Sequence, residues 1–276
     1  MISTSTIIAV IVTLLLSLFL PIIVWIIYGI RNKGKGVWTA WLLGAAGFFV
    51  LQMLIRIPIL NVLSGNSDFQ KFAKNNFLVY CFILSFTAGL FEVIGRYGVA
   101  KILRKKLTYE RGVAAGLGHG GIEAIIIVGL TYINNLVYIV MINTGSFDIM
   151  TEQVQNQGID VSGLVTVRET LLNSSSTIFY LAGYERVLTM ILHLALSLLV
   201  FYFVFKGKDL IGIAVCLVIH TFVDFTVVVT NGMSTEYLGN IFSQTTAYIV
   251  LYAFLTVIAI VSAFIIKYVK KHWAVV

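Results

Sequence analysis

Long apolar runs alternate along the chain with short polar or charged interruptions. A helix needs about 20 predominantly apolar residues to cross the hydrocarbon of a bilayer. Seven runs reach that length: Ser5–Tyr28, Val37–Leu60, Phe77–Ala100, Val113–Met141, Ile178–Phe205, Leu210–Thr230 and Thr245–Tyr268. Met1–Thr6 carries no basic residue, and Arg31, Lys33 and Lys35 follow the first run, so that run reads as an uncleaved span and not as a signal peptide. Pro21 and Pro58 fall within or near the ends of the first two runs and predict kinks, which membrane helices tolerate. The pattern predicts an all-α polytopic membrane helix bundle, a single integral membrane domain over residues 1–276 without internal repeats. The longest connection, Asn143–Ser176, is polar, with Gln153, Asn156 and Gln157, and reads equally as a lid or as a solvated loop.

The basic residues add an orientation. Thirteen lysines and arginines lie in the segments 31–35, 101–111, 206–208 and 267–271, and the alternate loops hold only Lys71, Lys74 and Arg168. Because basic loops stay in the cytoplasm, seven spans place the N-terminus outside and the C-terminus inside. Asp68, Asp148, Glu152, Asp160, Glu169 and Glu236 all fall on the opposite side from the basic clusters.

Composition narrows the class. Charged residues make up 11% of the 276 residues, against about 25% in soluble domains. Mean hydropathy is +0.97. The chain therefore belongs in a cell membrane as a multi-pass protein. The net charge of +7 sits in short clusters between spans, which suits anionic headgroups and not a nucleic acid. Cys81 and Cys216 lie far apart inside apolar runs and form no metal-binding pair.

Ten ionisable residues interrupt the runs themselves: Arg56, Arg96, Arg186, Glu92, Glu123, Glu185, Asp224, His119, His193 and His220. One such group at a helix centre costs about 2.5–3.5 kcal/mol on insertion scales, so ten cannot face lipid and must meet inside the bundle. The bland reading is interhelical glue; intramembrane ionisable residues more often mark a functional centre. Glu92 and Arg96, His119 and Glu123, and His220 and Asp224 are each four residues apart, and Arg186 and His193 seven, so four helices each carry a polar stripe. Counted from the basic helix ends at 1.5 Å per residue, most of these groups lie roughly 9–21 Å deep, at a common level. Glu185 lies about two turns further out and takes a supporting role, as do Arg96 and Arg186. In Gly116-Leu117-Gly118-His119-Gly120-Gly121 the small residues suit either close helix packing or room for a substrate backbone.

At these residues the chain resembles a known family. Phe91-Glu92-x-x-x-Arg96, His119-Gly-Gly-Ile-Glu123, the helix bearing Glu185, Arg186 and His193, and His220-Thr-Phe-Val-Asp224 are similar to the YhfC family of intramembrane peptidases, strongest over residues 77–230. That family resembles more distantly the CPBP group, with its CAAX prenyl proteases, and the PrsW proteases. The resemblance implies hydrolysis of membrane-embedded or membrane-proximal peptide bonds in a membrane protein or peptide substrate. Phe91 stands where the distant relatives carry a second glutamate, the one that activates water, and this leaves Glu92 and Glu123 as equal candidates for the base. His220 and Asp224 occupy positions that in relatives hold the scissile carbonyl oxygen or orient the site.

Two chemistries fit the residues. In one, His119, His193 and His220 bind Zn²⁺ with a carboxylate from Asp224 or Glu123, and another glutamate acts as base. In the other no metal takes part; Glu92 or Glu123 activates water while His220 and Asp224 stabilise the oxyanion. From other classes, a proton or metal transporter would use similar ionisable chains, though such folds often show inverted repeats and none is present here. A non-catalytic immunity or binding protein is a further alternative.

Overall fold

The computed structural model describes residues 1–273, and among them every regular element is helical. Among the described residues seven helices are long and apolar enough to cross a membrane: Thr4–Arg31, Val37–Ser64, Phe77–Ile102, Tyr109–Thr144, Ser176–Phe205, Asp209–Gly232 and Gln244–His272, the first to seventh spans. They coincide with the seven apolar runs, most of them a few residues longer at one or both ends. Large apolar side chains on several of them face outward, among them Ile23, Leu42, Val218 and Phe264, each at least 50% exposed. Such a surface is stable only against lipid. This is a multi-pass membrane protein.

The prolines act locally. Directly before Pro21 the first span widens into a π-helical turn at Leu15–Phe19, and before Pro58 the second does so at Phe49–Arg56. Proline has no N–H and its ring crowds the carbonyl one turn back, so a wider turn upstream relieves both problems. A third π-helical turn, Ile125–Gly129, begins two residues after Glu123 and owes nothing to proline.

The described chain groups into two compact units. One comprises Met1–Ile23 and Ala124–Val187. Its core holds Ala9, Val10, Tyr132, Ile139, Leu171 and Phe179, and the Thr13 hydroxyl donates to the Phe179 carbonyl at 2.5 Å. The polar connection between the fourth and fifth spans lies here and is not a bare loop. It forms two helices, Ser146–Asn156 and Ser162–Asn173, each pinned by one buried apolar side chain, Phe147 and Leu171. Arg168 pairs with Asp148 across them at 3.2 Å. Each helix offers a single anchor, too little apolar signal to rise above its polar surroundings.

The other unit comprises Val24–Glu123 and Leu188–Val276, and holds the larger core. Within it Leu192, Leu196, Leu198, Val200, Phe201 and Val204 of the fifth span are all buried. Glycines bring the neighbouring helices together. A Cβ at Gly118 would strike the Trp41 carbonyl, one at Gly44 the Ala115 carbonyl, and one at Gly95 the Gly47 carbonyl oxygen at 2.8 Å. Gly116 packs on Leu194 and Ser197, and Gly120 on the His193 Cβ and Met190. At Gly116, Gly118 and Gly120 neighbouring atoms already fill the space, so of the two readings of these glycines, helix approach holds at those three positions. Gly44→Val should destabilise the protein by about 1–3 kcal/mol, because backbone cannot yield as a side-chain tip does. Gly98→Ala, with nothing within 4 Å of the added methyl, should leave the thermal midpoint in detergent unchanged or slightly raised.

Candidate functional site

Packing at this density brings the ionisable groups of the second unit to one carboxylate. Glu92, buried on the third span, directs Oε2 at three other helices and back at its own. His220 Nε2 of the sixth span lies 2.8 Å away, His119 Nε2 of the fourth 3.1 Å, and His193 Nδ1 of the fifth 3.5 Å. Arg96, one turn along the third span, donates to the same oxygen at 3.0 Å. All five side chains are less than 9% exposed. The common depth expected from residue counting is met here by direct contact.

The second oxygen of Glu92 has a partner that ionisable-residue counting passes over. Gln52 Nε2 of the second span donates to Oε1 at 2.9 Å and also to the Ala88 carbonyl at 3.2 Å. Gln52 lies within the π-helical turn Phe49–Arg56 and is 4% exposed. A buried amide that is not bonded costs several kcal/mol, so a lone glutamine in an apolar run was the available signal. Arg56, four residues on, donates to the Gln52 Oε1 at 3.3 Å and to the Leu84 carbonyl at 2.8 Å.

Hydrogen-bond roles fix one tautomer. A guanidinium only donates, so the 2.6 Å contact between Arg96 Nη2 and His193 Nδ1 makes that nitrogen the acceptor. The neutral ring then carries its proton on Nε2, which lies 2.7 Å from Glu123 Oε2. Arg96 also donates from Nε to the Ser197 hydroxyl at 3.3 Å. Its guanidinium therefore ties the third span to the fifth and neutralises part of the charge on Glu92. His220 sits between two carboxylates, Glu92 on one nitrogen and Asp224 Oδ2 at 3.2 Å from the other. The Asp224 side chain is 34% exposed and is the most open of the group. Glu185 and Arg186 lie in the first unit, where they form an ion pair with one another.

The donor set can be tested against a metal ion. Glu92, His119 and His193 offer ligand atoms that all lie within 4.8 Å of one another, and all three residues are buried. Two ligands of a tetrahedral ion with bonds of about 2.0–2.1 Å stand about 3.3 Å apart. The 3.1 and 3.5 Å spacings from Glu92 Oε2 to His119 and His193 bracket that edge, and His220, 2.8 Å from the same oxygen, lies outside the trio. Imidazole and carboxylate together suit a borderline divalent ion. Glu92, His119 and His193 fit such a group once Arg96, which here donates to His193 Nδ1 and Glu92 Oε2, gives up the His193 lone pair; a guanidinium has no lone pair of its own to offer.

Comparison with known proteins agrees in kind. The model of the family described as YhfC intramembrane metalloprotease matches residues 16–243. The Bacillus subtilis (strain 168) protein YhfC, described as an uncharacterized membrane protein, is 33% identical over 198 residues, which cover 71% of this chain and 74% of that protein. No solved structure matches the chain.

Proposed function

The chain belongs to the YhfC intramembrane metalloprotease family, and on that premise we propose that it is a zinc-dependent peptidase acting on membrane-embedded or membrane-proximal bonds. One observation carries the reading: a buried carboxylate, Glu92, stands within 2.8–3.5 Å of three imidazoles from three other spanning helices. Glu92, His119 and His193 would hold the ion, with His220 beside them, steadied by Asp224. When bound, such an ion polarises the scissile carbonyl and lowers the pKa of a water. The chain's own groups supply the rest. Gln52 and Arg96 hold Glu92 from both oxygens, so the carboxylate keeps one rotamer. Glu123, beside His193 Nε2, takes a proton from the attacking water and returns it to the leaving nitrogen, so one water is divided across the broken C–N bond. The substrate helix must unwind locally, because its scissile carbonyl is otherwise bonded within the helix.

The metal-free reading has an observation of its own: Arg96 already stands against Glu92 at 3.0 Å, so that carboxylate has a counter-charge without an ion. In that mechanism Glu92 or Glu123 activates water and His220 with Asp224 receives the oxyanion. Zinc content and chelator sensitivity separate the two. Protein purified in detergent should hold about one zinc per chain and cut model transmembrane peptides carrying Gly or Pro near the bond, and chelation should abolish cutting. Cleavage that survives complete removal of the metal favours the glutamate mechanism. Transport of protons or metal across liposomes without any cleavage would favour the transporter.

Orientation is part of the proposal. Cys81 and Cys216 are buried and leave little background for labelling. A cysteine at Gln157 should react with an impermeant thiol reagent added outside cells, and one at Lys105 should not. The reverse pattern would invert the protein in the membrane.

A further inference from the structure

Away from the histidine cluster, the second unit has a cavity of about 530 Å³ where the second span begins and the third ends. Its wall includes Lys101, Arg104, Lys105, Lys106 and Arg111 and, among the described residues, no acidic one. Leu43, Ile102 and Leu103 complete it with apolar surface, and Ile102 is 70% exposed. The cations differ in how far they are committed. Lys101 pairs with Asp209, and Arg111 is fixed by donating to the Lys35 and Lys106 carbonyls at 2.8 and 2.7 Å. Arg104, Lys105 and Lys106 form one 3₁₀ turn and are exposed, and among the described residues no ion pair ties them to an acid, although Arg104 feels the charge of Asp209.

The fixed guanidinium also explains the backbone of the opposite wall. Gly36 has φ +71°, and a Cβ there would collide with the Arg111 guanidinium, so the chain comes close to the cation only because residue 36 is glycine. Both walls lie at ends of helices long and apolar enough to cross a membrane. A concave site at the ends of two such spans, lined by cations and apolar side chains together, matches one kind of molecule: a phosphodiester with acyl chains attached.

We propose that this cavity is a binding site for the headgroup of an anionic phospholipid, with the phosphate held by Arg104, Lys105 and Lys106 and the acyl chains running along Leu43 and Ile102. The inference is independent of any peptidase activity. A general attraction of basic loops for anionic membranes would predict binding in proportion to charge alone; a built site predicts dependence on position.

The test uses the full chain in detergent, titrated with phosphatidylglycerol or phosphatidylcholine and read by native mass spectrometry. The parent protein should retain one phosphatidylglycerol in preference to phosphatidylcholine. R104Q/K105Q/K106Q should weaken that binding by roughly 10- to 100-fold, given the size of the effect per basic residue at an anionic surface. K267Q/K270Q/K271Q, which removes the same charge from the end of the seventh span, should leave it within about twofold. If the triple variant at 104–106 fails to fold, K105Q/K106Q gives the same reading from two exposed residues. Equal losses in both triple variants would reduce the effect to net charge and overturn the site. Full displacement of the lipid by soluble glycerol phosphate at the same concentration would make it a site for free phosphate esters, and would overturn the lipid assignment.

Discussion

Glu92→Gln should abolish peptide cleavage, by at least about 10³-fold, and should also be the most destabilising polar substitution in the protein. The size follows from what the carboxylate touches. It accepts from Arg96 at 3.0 Å, faces His220 at 2.8 Å and His119 at 3.1 Å, and receives Gln52 on its other oxygen. Removing its charge leaves a guanidinium buried among helices without its counter-ion, which costs about 3–5 kcal/mol. Lost activity alone would not separate chemistry from misfolding, so the partner must be removed as well. Arg96→Met fills similar volume without charge. The double variant E92Q/R96M should regain most of the thermal midpoint lost by E92Q, with a coupling of about 1–3 kcal/mol, and should remain inactive. Additive losses would mean that the pair does not act as a unit, and activity in the double variant would remove Glu92 from the reaction.

The second expectation separates ligand from base. His119→Ala and His193→Ala should each lower bound zinc from about one to less than a tenth per chain, because each removes one of the three donors proposed to hold the ion. Glu123→Gln should keep the zinc and lower turnover by about 10²–10⁴-fold, the usual range for loss of general-base assistance. His220→Ala should lose turnover in either mechanism, since it stands between Glu92 and Asp224. Metal content measured on the same preparations as cleavage decides the matter. A Glu123→Gln protein that is empty of zinc would make Glu123 a ligand, and one that is full and active would leave the base to another residue.

The membrane spans were legible because their signal is length of apolar run, which the bilayer imposes and which nothing in the fold can override. The histidine cluster was legible for a related reason: hydrocarbon penalises Glu92, His119, His193 and His220 unless they meet, and their depths agree. Partner choice was not. A spacing of seven puts Arg186 and His193 on one helical face, whereas the arginine bonded to His193 is Arg96 on another helix. Along-chain periodicity reports neighbours on one helix and is silent about the helix packed against it. Gln52 escaped because an amide carries no charge, although burial gives it nearly the same need of a partner. Gly116, Gly118 and Gly120 were ambiguous in the sequence for want of any record of what faces them, and the Leu194, Trp41 and Met190 contacts settle it for those three.

The Glu92–Arg96 pair bears on how such a protein is made. The third span is synthesised before the helices that carry His119, His193 and His220, so for a time it must enter the bilayer without them. Glutamate followed by arginine one turn later lets the helix carry its own counter-ion through that interval, since the pair lies on one face and closes within a single span. The later helices then arrive at an oxygen already held in place. A charge that would stall a nascent helix at the translocation channel becomes, by virtue of its neighbour four residues on, cargo that the membrane accepts before the site exists.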